Sequence, residues 1–199
     1  MTPLVRTRRA TDTPESELIS RARNGDVAAF EQLTGAHADR LYSTVLRLIG
    51  NRSDAEDVVQ ETLLRAWRGI GRFQGRSMYF TWLYRIAINE ANRALEKRSR
   101  GGVSVPIDEE GLQLPAPERE CPAEKAEQRE LLSALGRAIA DLAPAYRTAL
   151  VLRDVEGLST RESAEIVDIG EAAFKSRLHK ARLKLRTALG DETIIAASP

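Results

Sequence analysis

The stretch "LSTRESAEIVDIGEAAFKSRLHKARLKLR", Leu158 to Arg186, limits what this chain can fold into more than any other. Ser159 and Glu162 have the spacing of a capping box and open a short helix. Asp168, Ile169 and Gly170 then read as a three-residue turn. A longer helix follows, with Phe174, Leu178, Ala181 and Leu185 at i, i+4, i+7 and i+11 as its buried stripe. A capped short helix, a tight turn and a longer helix are the layout of a helix-turn-helix. Away from the stripe lie Lys175, Ser176, His179, Lys180, Arg182 and Arg186. Such a face is either a solvated basic surface or one that attracts phosphates and bonds base edges in the major groove. The capped helix and the turn before it favour the second.

The rest of the chain also reads as helical. Only 5% of its residues are aromatic, while 42% are hydrophobic and 30% charged, and Ala, Leu, Arg and Glu abound. The expected fold class is all-α, with two small helical domains joined by an acidic, Pro-containing linker and the helix-turn-helix in the C-terminal domain. The linker is residues 101–125, "GGVSVPIDEEGLQLPAPERECPAEK". It holds Pro106, Pro115, Pro117 and Pro122. Its acids are Asp108, Glu109, Glu110, Glu118, Glu120 and Glu124, against Arg119 and Lys125 as bases. Such a segment buries little apolar area. Residues 1–17 read as a flexible tail, 18–100 as the first block, 126–189 as the second and 190–199 as a C-terminal tail. Helices are expected over 26–49, 53–70 (with Ser53 and Glu56 as a capping box), 79–97, 126–141, 144–155, 160–167 and 171–188.

Several classes of function find no support. With one cysteine, Cys121, an intramolecular disulfide is impossible and a Cys-based zinc site lacks ligands. No apolar run approaches the ~18 residues of a membrane span, and the charged N-terminal tail lacks the apolar stretch of a signal peptide. A cytoplasmic location fits. No Gly-rich phosphate loop or catalytic triad motif suggests an enzyme, so neither a cofactor, a metal, nor a small-molecule substrate is expected. His37 has no second ligand nearby and reads as a helix-surface residue.

The first block carries two unusual faces. The helix "SDAEDVVQETLLRAWRGI" has a stripe of Ala55, Val59, Leu63, Ala66 and Ile70. Its other side shows Asp54, Asp57, Gln60, Glu61 and Leu64. An acidic face with an exposed Leu is a solvated surface or a protein-docking one. The helix "MYFTWLYRIAINEANRALEKRSR" gathers Tyr79, Phe80, Trp82 and Tyr84, then turns basic. Phe80, Leu83 and Ala87 read as core, as does at least one of Tyr79, Trp82 and Tyr84. Aromatics beside a basic, amide-rich face suit a single-strand binder, in which bases stack while cations hold the backbone.

"DAEDVVQETLLRAW" followed by "FTWLYRIAINEANRALEKR" resembles region 2 of a bacterial sigma factor of the sigma-seventy superfamily. "GLSTRESAEIVDIGEAAFKSRLHKAR" resembles region 4. Two regions in this order, with no region 1.1 or region 3 between or before them, resemble the extracytoplasmic-function (ECF) group. The resemblance implies a fold of two helical domains and a transcription initiation factor without catalytic residues. It implies docking of Asp54, Asp57, Gln60, Glu61 and Leu64 on the clamp coiled coil of the RNA polymerase β′ subunit, with the β subunit as a further contact. It implies that Phe73, Gln74 and Gly75 help capture a flipped base, and that Trp82, Asn89, Asn92, Arg93 and Lys97 read and melt the minus-ten element. It implies that Lys175, Ser176, His179, Lys180 and Arg182 face the minus-thirty-five element. Core RNA polymerase, promoter DNA and an anti-sigma factor are the partners it implies. A plain helix-turn-helix regulator acting without polymerase would explain residues 158–186 but neither face of the first block.

Overall fold

The structure is a computed structural model that describes residues 14–101, 132 and 134–190. Helices make up the fold, and no strand occurs among the described residues. Helix α1 (Glu15–Arg23) starts inside the segment expected to be a tail. Helix α2 (Val27–Gly35) is capped by Asp26, whose carboxylate accepts from the Ala29 amide at 3.0 Å.

The single helix expected over 26–49 is broken. After Gly35 the chain bends, the His37 amide bonds back to the Thr34 carbonyl, and α3 (Ala38–Ile49) begins on a new axis. The Thr34 hydroxyl donates to the carbonyls of Phe30 and Glu31, the local bonding that weakens a helix from within. The bend aims Leu41, Val45 and Leu48 into the core. It also sets the His37 ring 6.0 Å from Tyr79 and 5.7 Å from Phe80, so His37 is half-buried rather than a surface residue.

Helix α4 (Arg52–Gly69) begins at Asn51, not Ser53. Gly50 ends α3 in left-handed geometry at φ 73°. The Asn51 side chain then accepts from the Asp54 amide at 3.0 Å, one residue after the turn allows it. The buried stripe of α4 is Ala55, Val58, Thr62 and Ala66. It lies one residue off the expected stripe, because the Thr62 hydroxyl is satisfied by the Val58 carbonyl at 2.7 Å and buries without penalty. Val59 and Leu63 are half-buried at its edge. A short 3-10 turn, Ile70–Arg72, leads to α5 (Tyr79–Gly101). Among the clustered aromatics Tyr79 and Tyr84 are core. Burial pushes the Tyr84 hydroxyl up to about 12, so it stays neutral. Phe80 and Trp82 are half-buried.

In the second block, 134–140 (α6) precedes α7 (Pro144–Leu150), with Pro144 at the first helical position. A π segment, Val151–Val155, continues α7. Helix α8 (Thr160–Ile166) carries both bonds of the expected Ser159–Glu162 capping box. The non-Gly residue of positive φ among those described is Asp168 at 56°, in the turn before α9 (Glu171–Leu189).

Phe174, Leu178 and Ala181 pack with Leu142, Ala149, Leu150 and Ala164 in a small core under α9. A larger core runs from α1–α5 into the second block. It joins Leu41, Val45, Leu48, Tyr84 and Ile88 to Val151, Leu152, Leu158 and Ile166. The two blocks are therefore closed on each other, α3 and α5 against α7 and α8. The expected linker lies outside the described residues apart from Gly101, the last residue of α5.

Candidate nucleic-acid interface

On α9, Lys175, Ser176, His179, Lys180 and Arg182 are all exposed, opposite the buried stripe. They form one face because α9 is a regular helix, whose start Gly170 holds in extended geometry. Arg182 differs from the others. It grips Asp154 through two bonds, Nε to Oδ2 at 3.0 Å and Nη2 to Oδ1 at 2.5 Å. That bond and the carboxylate's charge push its guanidinium pKa further up.

The acidic face of α4 and the basic face of α5 meet. A groove of about 740 Å³ runs between them, lined by Asp54, Asp57, Glu61, Arg93 and Lys97 among others. Two residue sets assigned to different partners thus share one surface. Its acids are only partly free. Asp54 lies 3.3 Å from Arg98, and Glu61 accepts from Arg65 at 2.7 Å. Asp57, Gln60 and Leu64 stand in the open, Leu64 at 45% exposure. A buried carboxylate, Glu90, organises the groove floor. It pairs with Arg93 at 2.6 Å and Arg65 at 3.2 Å, which fixes both guanidiniums at the rim. Arg93 keeps most of its side chain in solvent.

A second groove, about 590 Å³, lies around the corner. Trp82, Asn89 and Arg93 line it together with Arg65, Arg68 and Arg72. Gly69 makes room for the Trp82 ring, since a Cβ there would stand 3.3 Å from its Cζ2. An indole and an amide among four guanidiniums fit an unpaired strand, with bases on the ring and phosphates on the cations. Arg68 and Arg72 were missed by sequence reasoning. Their signal was present: Arg65, Arg68 and Arg72 recur at spacings of three and four, the period of one helix face.

Gln74 and Gly75 are exposed in the loop before α5, Gly75 at φ 67°. Phe73 does not join them. Its ring is 5% exposed and packs 5.2 Å from Trp82 and edge-on to Tyr79 at 6.0 Å. It supports the Trp82 ring from below and is not itself free to stack on a base. Asn92 is half-buried, facing the second block across a cleft it shares with Asn89, Pro144, Thr148 and Arg177. Among the described residues no group of three or more His, Cys, Asp or Glu is placed to hold a metal ion, and no helix is long and apolar enough to cross a membrane.

This geometry agrees with the kinship of the chain. Residues 33–101 match the family profile for Sigma-70 region 2, and residues 132–185 that for Sigma-70, region 4. The RNA polymerase sigma-H factor of Pseudomonas aeruginosa is 30% identical over 184 residues, 90% of this chain and 95% of that protein. The ECF RNA polymerase sigma-E factor of Haemophilus influenzae is 33% identical over 180 residues, 87% of this chain and 94% of its relative. Among solved structures, the sigma factor RpoE bound to the anti-sigma factor NepR from Bartonella quintana superposes with a TM-score of 0.62 at 28% identity, covering 82% of this chain and 98% of that one. CnrH in complex with the cytosolic domain of CnrY shares the fold, with a TM-score of 0.65 at 24% identity over 89% of this chain and 98% of its own. The chain belongs to the sigma-70 family of RNA polymerase sigma factors, in its ECF group.

Proposed function

We propose that this ECF sigma factor docks on core RNA polymerase through Asp57, Gln60 and Leu64, with Asp54 and Glu61 at the edge of the contact. Trp82, Asn89, Asn92, Arg93 and Lys97, with Gln74 and Gly75 in the adjoining loop, hold the unpaired minus-ten strand. Lys175, Ser176, His179 and Lys180 lie in the major groove at the minus-thirty-five element. Phe73 serves as the prop beneath Trp82, and Arg182 as a brace to Asp154 that keeps a spare donor for a phosphate. The two blocks act as separate DNA-binding domains, 18–100 and 126–189, around the linker 101–125.

One observation carries the reading. The Leu64-bearing acidic face and the arginine-ringed Trp82 groove lie back to back on one helix pair, α4 and α5. A protein partner bound to the first would therefore hold the second against DNA. Strand unpairing is offset by binding energy, since a captured base regains stacking and its phosphates gain cations. The factor supplies no catalytic group, and RNA synthesis belongs to the polymerase.

The relatives RpoE and CnrH were solved with an anti-sigma factor and with a cytosolic CnrY domain. We take an anti-sigma protein as a partner of this chain too, acting where the polymerase acts, in the cytoplasm.

Run-off transcription with core polymerase and a randomised promoter library tests the reading. Initiation that requires the factor, and that Leu64→Asp abolishes, is the expected result. A protein that binds duplex operator tightly alone, yet confers no initiation, would be a plain helix-turn-helix regulator instead.

A further inference from the structure

We propose that the factor carries its own latch: Glu156 of the second block, held between Arg40 and Arg47 of α3, keeps the two DNA-binding blocks closed and the melted-strand face covered. This rests on the functional reading above, because it concerns access to the same face.

Glu156 follows the π segment and is 5% exposed at its side chain. Its Oε2 accepts from Arg40 Nε at 3.1 Å and its Oε1 from Arg47 Nη1 at 2.9 Å. Arg40 also donates to the Glu156 backbone carbonyl at 2.8 Å. The Phe80 ring lies 5.1 Å beneath the Arg40 guanidinium and steadies it. A carboxylate buried so deeply is stable only while both cations remain, so removing its charge acts on closure directly.

Closure has a cost on the DNA side. Asn92 Oδ1 and Thr148 Oγ1 face a cleft of about 370 Å³ between the blocks, and both are buried without a hydrogen-bond partner. Unmade bonds of this kind weaken a seam. Arg85 is also engaged, its Nη2 donating to the Glu165 carbonyl at 2.6 Å and lying 3.6 Å from Asp168 in the helix-turn-helix turn. The closed form therefore holds the reading amide Asn92 against the second block and ties down the turn that aims α9.

Promoter geometry requires the opposite arrangement. Elements centred near minus-ten and minus-thirty-five are about 25 base pairs apart, or ~85 Å of duplex at 3.4 Å per pair. A closed helical protein of this size is only ~40 Å across. The stretch from residue 102 to residue 131, about 30 residues, has a contour of ~100 Å and permits that separation once the seam parts. The closed form is thus unable to engage both elements, and opening precedes promoter binding.

The test attaches donor and acceptor dyes at Glu31→Cys and Thr187→Cys in a Cys121→Ser background. Energy transfer should fall in Glu156→Gln. A fluorescein-labelled short single strand of mixed sequence should bind that variant about tenfold tighter than the parent, by anisotropy. The charge exchange Arg47→Glu with Glu156→Arg keeps the local net charge and should restore both transfer and weak binding. Unchanged transfer in Glu156→Gln overturns the latch, as does opening with no gain in single-strand affinity. Run-off transcription is read separately. If no variant supports initiation while transfer still responds to Glu156, the functional reading fails and the latch stands.

Discussion

Arg182 of α9 and Asp154 of the π segment share two hydrogen bonds, so the basic face of the recognition helix is anchored at one point to the element behind it. The pair is solvent-accessible, which limits it to about 0.5–1 kcal/mol. Asp154→Asn should therefore leave folding almost intact while releasing a guanidinium toward DNA. Duplex binding should become more salt-dependent, the slope of log affinity against log salt steepening by about 0.9. Titrations at several salt concentrations read this directly, and an unchanged slope means Arg182 faces no phosphate.

Arg147 is the deepest cation in the protein, 8% exposed. It donates to the carbonyls of Leu48, Ala140 and Leu142. The first is an orphan carbonyl at the C-terminus of α3, where a cation is also favoured by the helix dipole. Burial holds its pKa below the usual arginine value, as does Arg98 nearby. Arg147→Ala should cost about 3 kcal/mol, because charge-assisted bonds are lost and buried carbonyls are left bare. Arg147→Lys should recover only part, for lack of the planar fork. Urea denaturation of the three proteins tests the ranking.

His37 links stability to pH. Burial beside the Tyr79 and Phe80 rings lowers its pKa from the ordinary 6.5. The folded chain thus prefers neutral imidazole, while the unfolded chain takes up a proton first. Stability should be constant above pH 6.5 and fall as pH drops from there through the folded value. His37→Phe should flatten that window. Denaturant midpoints at pH 7.5 and 5.5 for both proteins decide it.

Gly69→Ala probes the strand groove. The new methyl lies 3.3 Å from Trp82 Cζ2, so the half-buried indole must move by a few tenths of an ångström. The helix gains about 1 kcal/mol of propensity at that site, which offsets the crowding. Folding stability should stay within about 1 kcal/mol of the parent. Trp82 fluorescence, read in a Trp67→Phe background, should shift, and single-strand affinity should drop severalfold. An unmoved emission spectrum would place Trp82 outside the groove's working surface.

Local signals account for what the sequence revealed. The Ser159–Glu162 box, Pro144 and the period of α9 act within one or two turns, and each stands where it was expected. The misses come from competition at the same scale or from distance. Asn51 and Ser53 are both good caps two residues apart, and the left-handed Gly50 decided between them. The break at His37 came from Thr34 bonding its own turn. Phe73 sits in a polar loop, "GRFQGRS", yet its ring is core because Trp82 needs a floor. Glu156 and Arg40 are 116 residues apart, and no helical period connects them. Charge and spacing could suggest the two DNA faces but not that the blocks would shut against each other.

The π segment adds a consequence at the level of inheritance. In Val151–Val155 the Glu156 amide reaches back five residues to the Val151 carbonyl, one more than an α-helix allows. Such a segment is equivalent to one inserted residue. Deleting a single codon there would restore a regular helix and swing everything after it by about 100°. Glu156 and Leu158 would then point away from α3, and a lineage could pass between a shut factor and a constantly open one in a single genetic step.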